Sequence, residues 1–226
     1  LFMEGASYVA AMDVLLGLAA RLMEKGVTPE LIDFGGGFGI PYHKYEGEKR
    51  LALAEFGTLL HRRISEWSAK FRYKGRFYIE PGRYIVAECG LVLGRVNAVK
   101  NNGNAVYAGT DIGFKVLARP MLYNAFHDVE VYREGGEPDE NVVEQTVVGN
   151  ICESGDILAP KRLLPRLREG DVLAMLDAGA YGYVMASTYN SRLRPAELLI
   201  GEDGAARLIR RRETLDDLAS TLCALN

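Results

Sequence analysis

The spacing of apolar residues divides this chain into two parts with different patterns. Over residues 7–25 and 48–69, apolar side chains recur every three or four positions, which is the spacing of an amphipathic helix. Two short apolar runs, Leu31–Phe34 and Phe77–Glu80, each stop at glycine or proline and are typical of strands. The order helix, strand, helix, strand predicts a βαβ unit whose two strands are parallel neighbours.

After about Ala87 the pattern changes to short β-like runs separated by turn-forming sequences. We therefore predict an α/β region over residues 1–88 and an antiparallel β domain, a barrel or a sandwich, over residues 89–226. The predicted strands of this second domain are 91–99, 105–109, 129–132, 146–148, 172–176, 197–200 and 206–209, and a final helix starts at Thr214 with a capping-box sequence.

The predicted α/β region is too small to stand alone. Two parallel strands with two helices cannot close a barrel or cover both faces of their sheet. This region is therefore either the end of a larger α/β domain or is completed by a partner. The first residues, Leu1–Glu4, lack the basic region of a signal peptide and do not resemble a natural start. We expect an N-terminal portion to precede them.

Composition narrows the class of protein. A hydrophobic fraction of 48% in 226 residues is enough for a sizeable core, and a net charge of -3 argues weakly against a nucleic-acid partner. The chain has three cysteines, an odd number that cannot all pair in disulfides within it. This favours free thiols and a reducing, cytoplasmic compartment. No uninterrupted apolar run approaches the ~20 residues that span a bilayer, so no membrane association is expected. The histidines have no ligand spacing, so no metal site is expected.

A glycine-rich loop, Gly35-Gly36-Gly37-Phe38-Gly39, directly follows the first predicted strand. Bare glycines expose backbone N–H groups and let an anion approach closely, although a tight turn without a ligand explains the loop equally well. Glu80-Pro81-Gly82-Arg83 ends the second strand. Because parallel strands end at the same rim, the loop and this glutamate–arginine pair should lie side by side. A structural salt bridge would also explain the pair.

In the predicted β domain, Cys152 and Glu153 place a thiol beside a carboxylate in a turn. A thiol can donate a proton and take it back, and a carboxylate can bind a cationic group, but most lone cysteines are buried hydrophobes. Arg119 could bind a carboxylate through two parallel hydrogen bonds, and Tyr181 lies between small residues. Either of these two could instead be an ordinary rim residue.

Taken together, six ordered motifs that cover most of the chain resemble the type III fold of pyridoxal-phosphate decarboxylases. Within that family the similarity is strongest to the branch that decarboxylates meso-2,6-diaminopimelate to L-lysine and CO2, the last step of lysine biosynthesis. The motifs are Asp33–Tyr42, Glu80–Arg83, Arg119-Pro120-x-x-Tyr123, Ile151–Asp156, Asp177–Gly182 and Tyr189–Arg192 continuing to Glu197.

The resemblance implies the C-terminal part of a cofactor-binding (β/α)8 barrel followed by a β-barrel or sandwich domain. It implies pyridoxal 5'-phosphate as the cofactor, with Glu80 facing the pyridine nitrogen. The residues implied to hold or border its phosphate are Gly35, Gly36, Gly37, Gly82, Arg83 and Tyr181.

The resemblance also implies how substrate is recognised. Cys152 is implied to be the proton donor, acting with Glu153 in the site of the other subunit of a homodimer. Arg119 is implied to bind the distal carboxylate of the substrate and Glu153 its distal ammonium group. The residues implied to contact substrate are Arg83, Arg119, Tyr123, Glu153 and Tyr181.

Three departures from the family pattern are visible. The cofactor lysine and the histidine-containing loop that stacks on the cofactor ring both lie earlier in the family than Leu1, and a smaller departure lies in the loop before Arg119. The lysine that binds the cofactor covalently lies earlier in the family's barrel, and nothing here occupies that place, so we expect this chain alone to be inactive. Gly113–Val116 differs from the more acidic or amidic sequence of many relatives. A decarboxylase of ornithine, lysine or arginine, and a non-catalytic regulatory homologue, remain alternatives.

Overall fold

The computed structural model describes residues 5–223. The chain forms two compact units, and the division lies between Cys89 and Gly90. This is one residue after the boundary expected from the sequence. The first unit contains the predicted βαβ arrangement, and the second contains most of the β structure.

The first unit alternates helices and strands. Its two strands pair in parallel, with Ile32 opposite Phe77, so the predicted βαβ pairing is confirmed. The elements are α1 (Gly5–Glu24), β1 (Leu31–Asp33), α2 (Leu53–Phe71), β2 (Arg76–Tyr78) and α3 (Gly82–Val86).

Helix α1 supplies one side of the core of this unit. Its buried residues follow helical spacing, and Tyr8 and Met12 pack in one cluster while Leu16 packs in a second around Ile32. By length and composition α1 is also long and apolar enough to cross a membrane. No uninterrupted apolar run marks this helix in the sequence, because Asp13 and Arg21 lie within it. The burial of Tyr8, Met12 and Leu16 is the pattern of a helix that packs on a core.

The second unit is built on a six-stranded sheet with the order β5-β8-β3-β4-β6-β7. The prediction of a purely antiparallel sheet is wrong at one place, since β4 and β6 pair in parallel. The chain between them includes α4 and β5, which is a crossover long enough for parallel pairing. The elements are β3 (Val92–Asn102), β4 (Ala105–Thr110), α4 (Arg119–Tyr123), β5 (Val129–Tyr132), β6 (Val142–Val148), β7 (Ile157–Pro165) and β8 (Val172–Met175).

The two edge strands of this sheet approach one another. Arg162 of β7 donates to the carbonyl of His127 at 2.9 Å and forms an ion pair with Asp128, directly before β5. The sheet therefore curls toward a barrel around a core that includes Val96, Leu158 and Leu173. The sequence did not predict β7 because two prolines and a charged pair interrupt its apolar pattern.

The chain ends in a hairpin and a short helix. Strands β9 (Glu197–Ile200) and β10 (Ala206–Arg210) pair antiparallel as a separate two-stranded sheet. Helix α5 (Leu215–Ala219) has the predicted capping box, in which the Thr214 amide donates to the Asp217 carboxylate at 2.7 Å.

Candidate active site

The glycine loop after β1 has a backbone that requires glycine. Gly35 and Gly37 have φ values of +68° and +91°, in the left-handed region that side chains disfavour. A Cβ atom on Gly36 would lie 2.2 Å from the carbonyl oxygen of Glu80. The chain thus passes closer to its neighbour than any residue with a side chain would allow.

Hydrogen bonds from two directions hold this loop. The Gly35 amide donates to Oδ1 of Asp33 at 2.8 Å, and the Glu80 amide donates to the carbonyl of Gly35 at 2.9 Å. Glu80 itself is exposed. The expected placement of the glycine loop beside Glu80, at the common rim of two parallel strands, is therefore confirmed.

Tyr8 of α1 also binds the loop, and the sequence analysis did not identify it. Its hydroxyl lies 3.2 Å from the carbonyl oxygen of Phe34 and 3.0 Å from that of Gly35. Burial, followed by the nearby carboxylates of Asp33 and Glu80, raises the pKa of Tyr8 to about 12. The signal in the sequence was a tyrosine four residues before Met12, on the buried face of the helix.

Gly82 and Arg83 open α3, directly after Glu80. The Gly82 amide donates to the Glu80 carbonyl at 2.9 Å, so this end of β2 turns tightly. Arg83 is half-buried, and its Nη1 donates to the hydroxyl of Tyr42 at 3.0 Å. The described part of the first unit thus brings the glycine loop, Glu80, Gly82 and Arg83 to one region.

In the second unit, the turn Cys152–Asp156 is built around a buried carboxylate. Asp156 accepts hydrogen bonds from the amides of Phe114 at 2.6 Å and Ile151 at 3.2 Å. A Cβ atom on Gly113 or Gly149 would lie 2.4 Å or 2.0 Å from an oxygen of this carboxylate. Glycine at both positions therefore lets two loops close over Asp156, which sets the position of the turn.

Cys152 and Glu153 lie at the surface of this turn. The alternative of a buried structural thiol is wrong, because Cys152 is exposed. Nδ2 of Asn190 donates to Sγ of Cys152 at 3.4 Å, and the Tyr189 hydroxyl lies 3.5 Å from Oε2 of Glu153. Asn190 has a φ of 57°, a left-handed conformation that asparagine tolerates better than most residues. The Tyr189–Arg192 motif therefore contacts the thiol and the carboxylate directly.

Arg119 is almost completely buried, with 4% of its surface exposed, so it is not a solvated rim residue. Its Nη1 lies 2.8 Å from Nε2 of His127, and Nδ1 of His127 lies 2.6 Å from the carbonyl oxygen of Leu176. A guanidinium only donates, so Nε2 accepts and the ring proton is on Nδ1. His127, to which the sequence assigned no role, is thus a neutral acceptor that orients Arg119.

Tyr123 and Tyr181 are both exposed. Tyr123 ends α4, and Met121 of the same helix packs on Gly155, where an added Cβ would lie 2.8 Å from its Cε. Helix α4 therefore lies against the Cys152–Asp156 turn. Tyr181 has a φ of 59° within the Asp177–Gly182 turn, a strained backbone of the kind found at ligand sites.

Over residues 9–179 the chain matches the sequence model of the family described as pyridoxal-dependent decarboxylase, C-terminal sheet domain. The chain therefore belongs to the pyridoxal-dependent decarboxylases. Among its curated relatives is the diaminopimelate decarboxylase of Methanothermobacter thermautotrophicus, 43% identical over 217 residues. That alignment covers 93% of this chain and 48% of the relative, so the chain spans about half the length of the protein it matches.

Solved structures agree with this assignment. A crystal structure of diaminopimelate decarboxylase has a TM-score of 0.84 and 33% identity, with 96% of this chain and 53% of that one covered. A diaminopimelate decarboxylase from M. jannaschii, in co-complex with L-lysine, has a TM-score of 0.84 and 29% identity, with 99% of this chain and 50% of that one covered.

Proposed function

We propose that this chain is the C-terminal half of a decarboxylase that converts meso-2,6-diaminopimelate to L-lysine and CO2. The observation that supports this most directly is in the second unit, where the exposed thiol of Cys152 and the half-buried carboxylate of Glu153 lie on a turn that packs against the helix of Arg119 and Tyr123. The names of the relatives point to the same reaction.

The family implies pyridoxal 5'-phosphate, and the residues of the first unit fit such a group. Gly35 and Gly37 adopt left-handed φ values that favour glycine, and the space beside the Cα of Gly35 is open, which suits close approach of a phosphate to bare backbone. The amides of Gly36 and Gly37 would hold the phosphate, since the Gly35 amide already donates to Asp33, and Gly82 and Arg83 would lie at its border. The exposed carboxylate of Glu80 would keep the pyridine nitrogen protonated. The bound cofactor supplies an electron sink for the carbon that loses CO2.

Substrate specificity rests on charges at the distal end of diaminopimelate, which is an amino acid at both ends. Arg119, which is almost completely buried, would bind the distal carboxylate, and His127 orients its guanidinium. Glu153 binds the distal ammonium group. Within the second unit, Tyr123 and Tyr181 would add further contacts to the substrate. A substrate with one carboxylate could not make this contact with Arg119.

Cys152 donates the proton that replaces CO2 on the same carbon. Asn190 donates to Sγ of Cys152, so the sulfur acts as an acceptor there and its own S–H is directed elsewhere. We further propose that the chain completes a (β/α)8 barrel with the preceding half of the protein. In the same proposal, Cys152 and Glu153 serve the site of the second subunit of a homodimer.

The test is a comparison of substrates by the full-length decarboxylase that contains this chain. Turnover of meso-diaminopimelate should exceed turnover of L-ornithine, L-lysine and L-arginine by orders of magnitude. Preference for a substrate with one carboxylate would assign the chain to the basic amino-acid decarboxylases instead. No turnover of any of them, with the cofactor bound, would favour a regulatory homologue. The 226-residue chain assayed alone should be inactive.

A further inference from the structure

The glycine loop is held on its inner side by one hydroxyl group. The hydroxyl of Tyr8 lies within hydrogen-bonding distance of two successive carbonyl oxygens, those of Phe34 and Gly35. The Gly35 carbonyl accepts a second hydrogen bond, from the amide of Glu80. The Gly35 carbonyl therefore accepts hydrogen bonds from two elements, α1 and the residue that follows β2, and these fix its direction.

The direction of a carbonyl determines the direction of the next amide. In a trans peptide the C=O and N–H groups of one unit point in opposite directions. Because the Gly35 carbonyl points toward Tyr8 and the Glu80 amide, the Gly36 N–H points away from both. The Glu80 carbonyl oxygen lies so close to Gly36 that a Cβ there would be 2.2 Å from it. This contact limits how far the peptide unit between Gly35 and Gly36 can rotate.

We propose that Tyr8 is a positioning residue for the phosphate cradle, acting through the Gly35 carbonyl to aim the amide of Gly36 at the cofactor phosphate. The inference rests on the proposed function, because it needs a phosphate ligand at the glycine loop. It concerns a residue of α1 that touches the backbone of the loop and not the ligand.

The surroundings of Tyr8 make it suited to this task. Its ring packs on Phe38 with centroids 4.8 Å apart and on Phe56 at 5.3 Å, so the hydroxyl has a fixed direction. Burial and the neighbouring carboxylates raise its pKa to about 12, so the group is a protonated donor at neutral pH. Tyr8→Phe removes only the oxygen and leaves this ring packing in place.

The experiment measures cofactor binding by the full-length decarboxylase that contains this chain. Dissociation constants for pyridoxal 5'-phosphate and for pyridoxal, which lacks the phosphate, are determined by equilibrium dialysis for the wild type and for Tyr8→Phe. We expect Tyr8→Phe to weaken binding of pyridoxal 5'-phosphate about five- to tenfold, the effect of one lost hydrogen bond. Binding of pyridoxal should stay unchanged, which a general loss of structure would not produce.

The matched control is Tyr73→Phe, another buried tyrosine of the first unit, whose hydroxyl contacts the Arg76 carbonyl and not the loop. It should leave both constants unchanged. Equal weakening of both ligands by Tyr8→Phe, or no weakening of either, would overturn the role of Tyr8 while the cradle stands. A wild type that binds pyridoxal as tightly as its phosphate would overturn the cradle itself, and the inference with it.

Discussion

Nη1 of Arg119 lies 2.8 Å from Nε2 of His127, and the backbone carbonyl of Leu176 binds the opposite nitrogen of that ring. The pair joins the end of β8 to helix α4 through one neutral imidazole. A buried arginine is thereby oriented by a group that adds no charge.

We predict that His127→Asn raises KM for meso-diaminopimelate by about tenfold or more with little change in kcat. Asparagine can still donate to the Leu176 carbonyl from near the Nδ1 position, but it is too short to accept from Arg119. Steady-state kinetics of the full-length decarboxylase measures this. His127→Gln, which can place an acceptor near Nε2, should recover most of the affinity. Inhibition by L-lysine, which has no distal carboxylate, should not respond to either change.

Replacing Cys152 should affect chemistry more than binding. We expect Cys152→Ala to lower kcat about a hundredfold or more with a small effect on KM, because a positioned proton donor contributes on that scale. Cys223→Ala changes another exposed thiol and should leave both constants unaltered. An unchanged kcat in Cys152→Ala would remove this residue from proton donation.

The carboxylate of Asp156 should contribute to the stability of the second unit. Asp156→Asn keeps the size of the side chain but turns an NH2 group toward an amide of Phe114 or Ile151 that needs an acceptor. We expect a loss of about 1–3 kcal/mol in the free energy of unfolding, measured by urea denaturation. The exposed Asp216 is the control, and Asp216→Asn should change stability by no more than about 0.5 kcal/mol.

Two glycine-to-alanine changes should have opposite effects on the stability of the first unit. Gly36→Ala would place a Cβ 2.2 Å from the Glu80 carbonyl, so the loop must move, and we expect lower stability together with weaker binding of pyridoxal 5'-phosphate. Gly57 lies within α2, and an added Cβ there has no neighbour within 4 Å. Gly57→Ala should therefore raise stability by about 0.5–1 kcal/mol and leave cofactor binding intact. Thermal unfolding and equilibrium dialysis report the two properties separately.

The raised pKa of Tyr8 predicts a pH dependence of stability. Burial raises this pKa to about 12, above its ordinary value of 10.0, so the unfolded chain releases the proton first. The contribution of Tyr8 to stability is fully present below pH 10 and is lost as the pH rises through about 12. The Tm difference between the wild type and Tyr8→Phe should therefore shrink from pH 9 to pH 11.5, and a difference independent of pH would contradict the shift.

Local patterns predicted much of this fold because they depend on neighbours along the chain. The parallel pairing of β1 and β2 followed from their order, and the capping box at Thr214 from two residues three positions apart. Strand β7 was missed because prolines at 160 and 165 break its alternation, while its pairing with β6 is made by distant residues.

The sequence by itself determined the division into an α/β part and a β part, the glycine loop at the rim beside Glu80, and the residues that resemble a decarboxylase site. Only the tertiary structure decided which side chains hold those residues. Tyr8 reaches the loop from a position 26 residues earlier, and His127 orients Arg119 from eight residues further along the chain. Such contacts join positions that no local period relates, because packing of whole elements brings them together.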